Sequence, residues 1–92
     1  MRISNWHYVY VLLSDRDDKF YIGYTNNLYR RLDEHNAKES FSTKGRTPFK
    51  LIYSEVCLSE KDAKRRERYL KTTQGHRFLL LRLREYLKLR NY

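Results

Sequence analysis

Apolar and polar positions alternate with two different periods along the chain. His7 to Leu13 is a β-branched and aromatic run, and Lys19 to Tyr24 is another. Between them Ser14-Asp15-Arg16-Asp17-Asp18 forms a polar turn of hairpin length, so the pair reads as an antiparallel hairpin. A period of two puts Tyr8, Tyr10 and Leu12 on one face and Val9, Val11 and Leu13 on the other. Thr25-Asn26-Asn27 then offers N-cap side chains, and Leu28 to Asn36 reads as a helix with Leu28 and Leu32 as its buried stripe. Arg31 and His35 lie one turn apart on a flank of that stripe, and Arg30 points elsewhere. Ala37 to Pro48 is polar and reads as a surface loop; Phe49 to Cys57 is a third strand.

Ser59-Glu60-Lys61-Asp62 is a capping-box pattern that opens a second helix. Its apolar stripe holds Ala63 and Leu70 with Glu67 between them, crowded by Lys64, Arg65, Arg66, Arg68 and Lys71. Thr72-Thr73-Gln74-Gly75 breaks this helix, and His76 to Arg90 is expected as a third. Leu79, Leu80, Leu83, Tyr86 and Leu87 fall on one side of it and Arg77, Arg84 and Lys88 on the other. The order ββαβαα predicts a small mixed α/β (α+β) domain, a three-stranded antiparallel sheet flanked by helices.

Composition narrows the function classes. Ninety-two residues leave room for one core, so residues 1–92 are expected to form a single domain. With 40% hydrophobic residues the chain can fold, and three Gly and one Pro leave no flexible linker. The lone Cys57 rules out an internal disulfide and a cysteine-rich zinc site, which fits a cytoplasmic protein. The opening residues carry no signal-peptide pattern, and charge interrupts every apolar cluster short of a membrane span. The formal charge of +9, from 20 Lys and Arg against 11 Asp and Glu, points to a polyanionic partner. Nine tyrosines interleaved with those cations suit a surface that tracks phosphates and stacks bases, although strand propensity alone explains many of them.

One ordered set of residues runs through these elements. It comprises Tyr8-Val9-Tyr10, Tyr21-Ile22-Gly23, Asn27-Leu28-Tyr29-Arg30-Arg31 with His35-Asn36, and Ala63 with Glu67 and Leu70-Lys71. In this set the chain resembles the GIY-YIG nuclease superfamily, and most closely its small single-domain bacterial, excision-repair-nuclease-like members. The resemblance runs from about Trp6 through Gly75-His76-Arg77. It implies a metal-dependent phosphodiesterase site. Tyr10 and Tyr21 match the tyrosines of the two motifs, Gly23 the second-motif glycine, Arg31 the catalytic arginine, His35 the histidine one turn on, and Glu67 the metal-binding acid. Tyr8 stands where the motif name has Gly, and Tyr24 where some excision-repair members have a lysine.

The chemistry needs these residue types. Mg²⁺ or Mn²⁺ takes oxygen ligands and often only one or two protein carboxylates, so Glu67 alone can serve. Such an ion polarises the phosphate and stabilises the leaving 3′ oxygen. Arg31 offers a planar, permanently charged fork to the scissile phosphate. A tyrosine beside these positive charges is expected to ionise below its reference value of about 10 and act as general base. Tyr10 is favoured for that role, with Tyr21 orienting the water and His35 a second candidate for base or phosphate donor.

Plainer roles compete with each assignment. Glu67 can simply pair with Lys71 one turn on, for about 0.2–0.5 kcal/mol, Arg31 can be a solvated charge, and both tyrosines can be packing residues. His35 can cap or pack, and His7 and His76 are structural or phosphate-contacting. Ser40-Phe41-Ser42-Thr43-Lys44-Gly45-Arg46 suits phosphate contact or a solvated loop. With Gly23 and Arg30, it nominates Thr43, Lys44 and Arg46 for nucleic-acid binding. The leading expectation is an endonuclease for DNA, single-stranded, branched or with low specificity, in repair or recombination, with RNA left open. The alternatives are a non-catalytic nucleic-acid-binding module and an accessory protein that docks on an acidic partner.

Overall fold

Three strands form where the alternation predicts them: β1 (His7–Ser14), β2 (Phe20–Thr25) and β3 (Phe49–Cys57). The computed structural model describes residues 5–38 and 43–91; the expectations for the opening residues, for Ser40-Phe41-Ser42 and for Tyr92 lie outside the described residues. β1 sits in the middle of the sheet, antiparallel to β2 on one side and β3 on the other. It is buried from Val9 to Ser14, which explains its nearly unbroken apolar run.

The two predicted faces of β1 enter two different cores. Tyr10 and Leu12 pack with Phe49, Leu28 and Leu32 under α1 (Leu28–Asn36). Val9 and Val11 pack with Ala63, Leu70 and Leu79 under α2 (Glu60–Leu70) and α3 (Thr73–Arg82). The β1–β3 register shifts between Val11, opposite Tyr53, and Leu12, opposite Leu51. This bulge lets both Ile52 and Tyr53 join the α2–α3 core.

The helices depart from expectation in three places. Ser59 precedes α2 in extended backbone but makes no side-chain cap bond; Asp62, the other half of the expected box, is held instead by Arg65 at 2.7 Å. The break after α2 is shorter than Thr72–Gly75. Thr72 caps α3 by accepting from the Gly75 N–H at 3.1 Å, so Thr73, Gln74 and Gly75 are already helical. A Cβ on Gly75 would run into the Tyr69 carbonyl oxygen and lie 2.5 Å from Leu70 Cα, so glycine permits α3 to cross the end of α2. The expected third helix is also two, because the backbone at Leu83 leaves the helical region and α4 (Arg84–Leu89) follows. Beyond α4, Arg90 bonds Asp15 at 2.9 Å and Asp18 at 3.1 Å in the β1–β2 turn. Leu87 is buried as predicted, whereas Tyr86 is 37% exposed. Among the described residues no helix is long and apolar enough to cross a membrane.

Candidate active site

α1 carries two of the expected residues to the sheet. Asn27 starts it by accepting from the Arg30 N–H at 3.2 Å. Asn36 fastens its end to β3, donating to the Phe49 carbonyl at 3.1 Å and accepting from the Phe49 N–H at 2.8 Å. Between these anchors the helical period turns Arg31 and His35 toward Tyr10. The Tyr10 ring lies across Gly23, its partner on β2. A Cβ at position 23 would overlap the Tyr10 hydroxyl and lie 2.5 Å from Cζ, so only glycine leaves room for the ring.

These residues form a buried hydrogen-bonded chain. The Tyr10 hydroxyl lies 2.9 Å from His35 Nε2 and accepts from Arg31 Nε at 3.4 Å. On the far side of the imidazole, Nδ1 lies 2.6 Å from Thr43 Oγ1. Tyr10 is 2% exposed, and His35 and Thr43 are fully buried. Tyr21 presses edge-on against His35, with ring centroids 4.9 Å apart, and lies 6.3 Å from the Tyr10 ring. Phe49 lies 6.0 Å from His35 and 6.4 Å from Tyr21, so the three rings form one cluster. Arg31 also donates through Nη1 to Glu34 at 3.0 Å.

Burial sets the protonation states here. It pushes the Tyr10 hydroxyl up to about 12 despite the opposing bond from Arg31, and it pushes the His35 imidazole down to about 4, with the Arg31 charge acting the same way. Burial also works against the Arg31 charge, but the bonds to Tyr10 and Glu34 outweigh it and raise its pKa. Among the chain's own groups, loss of solvent outweighs the Arg31 guanidinium at Tyr10; the expected lowering also counts the cation that Glu67 would hold.

Glu67 projects from α2 with its side chain 20% exposed, and its charge acts on the Tyr10 hydroxyl. Lys71 Nζ lies 3.0 Å from Glu67 Oε2. Among the described residues no three His, Cys, Asp or Glu side chains gather into a preformed cage. A single partly exposed carboxylate fits a hard divalent ion that keeps most of its water and shares a substrate phosphate.

Comparison with known proteins bears on this arrangement. Residues 6–78 match the family described as the GIY-YIG catalytic domain. The chain belongs to the GIY-YIG family. A UPF0213 protein of Bacillus licheniformis is 45% identical over 69 residues, 74% of this chain and 70% of that one. A UPF0213 protein of Limosilactobacillus reuteri is 41% identical over 93 residues, covering 95% of this chain and 96% of its own length. The solution NMR structure of a UPF0213 protein from Bacillus halodurans superposes with a TM-score of 0.52 at 32% identity, over 82% of each chain. The chain thus carries a nuclease-type domain, in a family whose nucleases use divalent metals and act on DNA.

Within the GIY-YIG domain, Tyr10, Tyr21, Gly23, Arg31 and His35 come together, with Glu67 beside them. His35 is not available as a phosphate donor, because it is buried with both ring nitrogens engaged. Thr43 is not a strand contact either; its fully buried hydroxyl holds His35. Arg46 is a structural pin. It bonds Asp17 at 2.6 Å and the Lys19 carbonyl at 3.1 Å, and its guanidinium lies over Phe49. That bond holds the Asp17 carboxyl down at about 2. Arg30 and Lys44 stay exposed, and Arg30 lies 3.8 Å from Glu34. Sequence reasoning missed Glu34 as the partner of Arg31 and Asn36 as the tie to β3. The spacing of three from Arg31 was the signal for the first.

Proposed function

We propose that the protein is a divalent-metal-dependent endonuclease that hydrolyses DNA phosphodiester bonds, acting in the cytoplasm as one domain over residues 1–92. The observation that carries this reading is the convergence of Arg31 Nε and His35 Nε2 on the Tyr10 hydroxyl. Packing alone would not call for a charged and a neutral nitrogen on one buried phenol. Glu67 would hold Mg²⁺ or Mn²⁺, which when bound polarises the phosphate, stabilises the leaving 3′ oxygen and supplies the positive field that favours Tyr10 phenolate.

The remaining work falls to the side chains. Tyr10 accepts the proton of the attacking water, and its own proton has an acceptor waiting in neutral His35. Without added positive charge that transfer is steep. Burial raises the Tyr10 pKa and lowers that of His35, so the proton rests on Tyr10 until positive charge is added. Arg31 steadies the developing phenolate through Nε and presents its fork to the phosphate. Tyr21, half-buried beside His35, orients the water. Thr43 is a positioning residue that fixes the ring of His35.

The test is a cleavage assay on labelled single-stranded, duplex and branched DNA with Mg²⁺, Mn²⁺ or EDTA, comparing wild type with Glu67→Ala and Arg31→Ala. Metal-dependent cutting by wild type, lost in both variants, supports the reading; single-stranded and branched substrates are expected to be cut best, as suits a repair or recombination enzyme. Equal binding by all three proteins with no cutting by any would overturn it in favour of a nucleic-acid-binding module. The Lys71–Glu67 pair is the observation that favours that second reading, because it gives Glu67 a structural partner.

A further inference from the structure

A groove of about 550 Å³ runs along the free edge of β2, lined by Lys19, Phe20, Tyr21, Ile22, Lys71 and His76. Two of its walls belong to the candidate active site, since Tyr21 abuts His35 and Lys71 holds Glu67. Its far wall is different. The exposed His76 ring, in the first turn of α3, rests on Phe20 with centroids 5.4 Å apart. Phe20 in turn packs against the α2–α3 core, so the imidazole has a firm backing. Lys19 stands exposed at the mouth.

We propose that this groove seats an unpaired nucleotide next to the scissile phosphate, its base stacked on His76 and the adjoining phosphate held by Lys19. The proposal rests on the nuclease reading for the word scissile and on the groove itself for the rest. An aromatic ring backed by a second ring, with an ammonium within the same groove, is the pairing that single-strand binders use. The ring stacks any base, and the cation follows the backbone. The volume lies within the range of about 300–1,000 Å³ that ligand-sized sites occupy. A duplex would keep its base stacked inward, so this groove selects strands that are single, frayed or branched at the cut.

The experiment is anisotropy of labelled oligothymidine with the full chain in EDTA, so that no cleavage intervenes. Wild type is compared with His76→Ala, His76→Phe, Lys19→Ala and, as a charge control away from the groove, Arg65→Ala. His76→Ala is expected to weaken binding about tenfold, within the span seen when a stacking ring is truncated, and His76→Phe to restore it. One abasic position in the oligonucleotide should weaken wild type and leave His76→Ala unaffected. Lys19→Ala should lower the slope of log affinity on log salt by about 0.7, the value of one single-strand phosphate contact. Binding by His76→Ala equal to wild type, or a loss that His76→Phe or Arg65→Ala reproduces in full, would overturn the groove. The cleavage assay separates the two readings. If wild type does not cut but the His76 and abasic effects hold, the groove stands and the nuclease reading falls; if wild type cuts while His76→Ala binds normally, the reverse is true.

Discussion

Neutral His35 makes the fold sensitive to mild acid. Its imidazole is fully buried and held near 4, against 6.5 for the free side chain. In the unfolded chain the ring protonates as pH falls through about 6.5, while in the fold it stays neutral down to about 4. The unfolded state therefore binds more protons throughout that window, and stability is lost as pH falls across it. The slope approaches 1.4 kcal/mol per pH unit, and integration from pH 7 to pH 5 gives a loss of about 2 kcal/mol. For a small domain that is a large share of the total. Asp17, held at about 2 against 3.8, loses its own contribution only below that range, so the two effects separate.

The assay is urea unfolding followed by circular dichroism at constant ionic strength, in steps from pH 7 to pH 5, for wild type and His35→Gln. The variant starts from a lower stability, because glutamine does not fill the space between Tyr10 and Thr43 as the ring does. Its curve is nevertheless expected to be nearly flat over the range in which wild type falls. Wild-type stability that holds constant between pH 7 and pH 5, or a fall of equal size in His35→Gln, would refute the neutral buried imidazole and the proton acceptor assigned to Tyr10 with it.

Three further substitutions probe how the site is held. Gly23→Ala drives a methyl into the Tyr10 ring; overpacking of this kind costs about 1–3 kcal/mol, and a displacement of about 1 Å at the reacting group is expected to lower cleavage about 100-fold. Urea unfolding and the rate with saturating DNA read the two effects separately. Thr43→Val preserves shape but removes the partner of His35 Nδ1, for a loss of about 1–3 kcal/mol in the same unfolding measurement. Gly75→Ala gains at most about 1 kcal/mol of helix propensity, yet its methyl meets the backbone of Tyr69 and Leu70, which cannot swing aside. A net fall in Tm by thermal denaturation is expected, and a rise would show that α3 can move off α2 at no cost.

Most of the fold was readable because its signals are local. The alternation of β1, the Asn27 cap and the leucine spacing of α1 each act within a few residues, and both elements formed where they were expected. The break at Leu83 was not readable, since neither Gly nor Pro marks it; the link that follows it joins Arg90 to a turn 72 and 75 residues earlier. The site divides along the same line. Tyr10, Tyr21, Arg31, His35 and Glu67 carry a motif, whereas Thr43 and Arg46 are polar loop residues whose composition suits phosphate contact or solvent alike. Their true partners, His35 and Asp17, are 8 and 29 residues away and become neighbours only when the sheet and α1 are assembled. The Tyr10 ionisation is legible only in part for a related reason. A nearby cation can be inferred from spacing, but the depth of burial that outweighs it depends on the packing of Phe49, Leu28 and Leu32 around the same strand.

The small size of the domain makes the core on the α1 side and the candidate catalytic machinery one object. Tyr10 fills space between Leu12 and Phe49 and also presents the hydroxyl on which Arg31 and His35 converge. A larger enzyme can place its reactive groups on loops above a finished core. Here, removing Tyr10 or His35 leaves a cavity as well as a missing proton carrier, so lost activity in such variants does not by itself identify a chemical role. Arg31 and Glu67 are different, because each keeps part of its side chain in solvent and each has a partner outside that core, Glu34 and Lys71. Their substitution therefore separates chemistry from folding, whereas Tyr10 and His35 require stability and rate to be measured on the same protein.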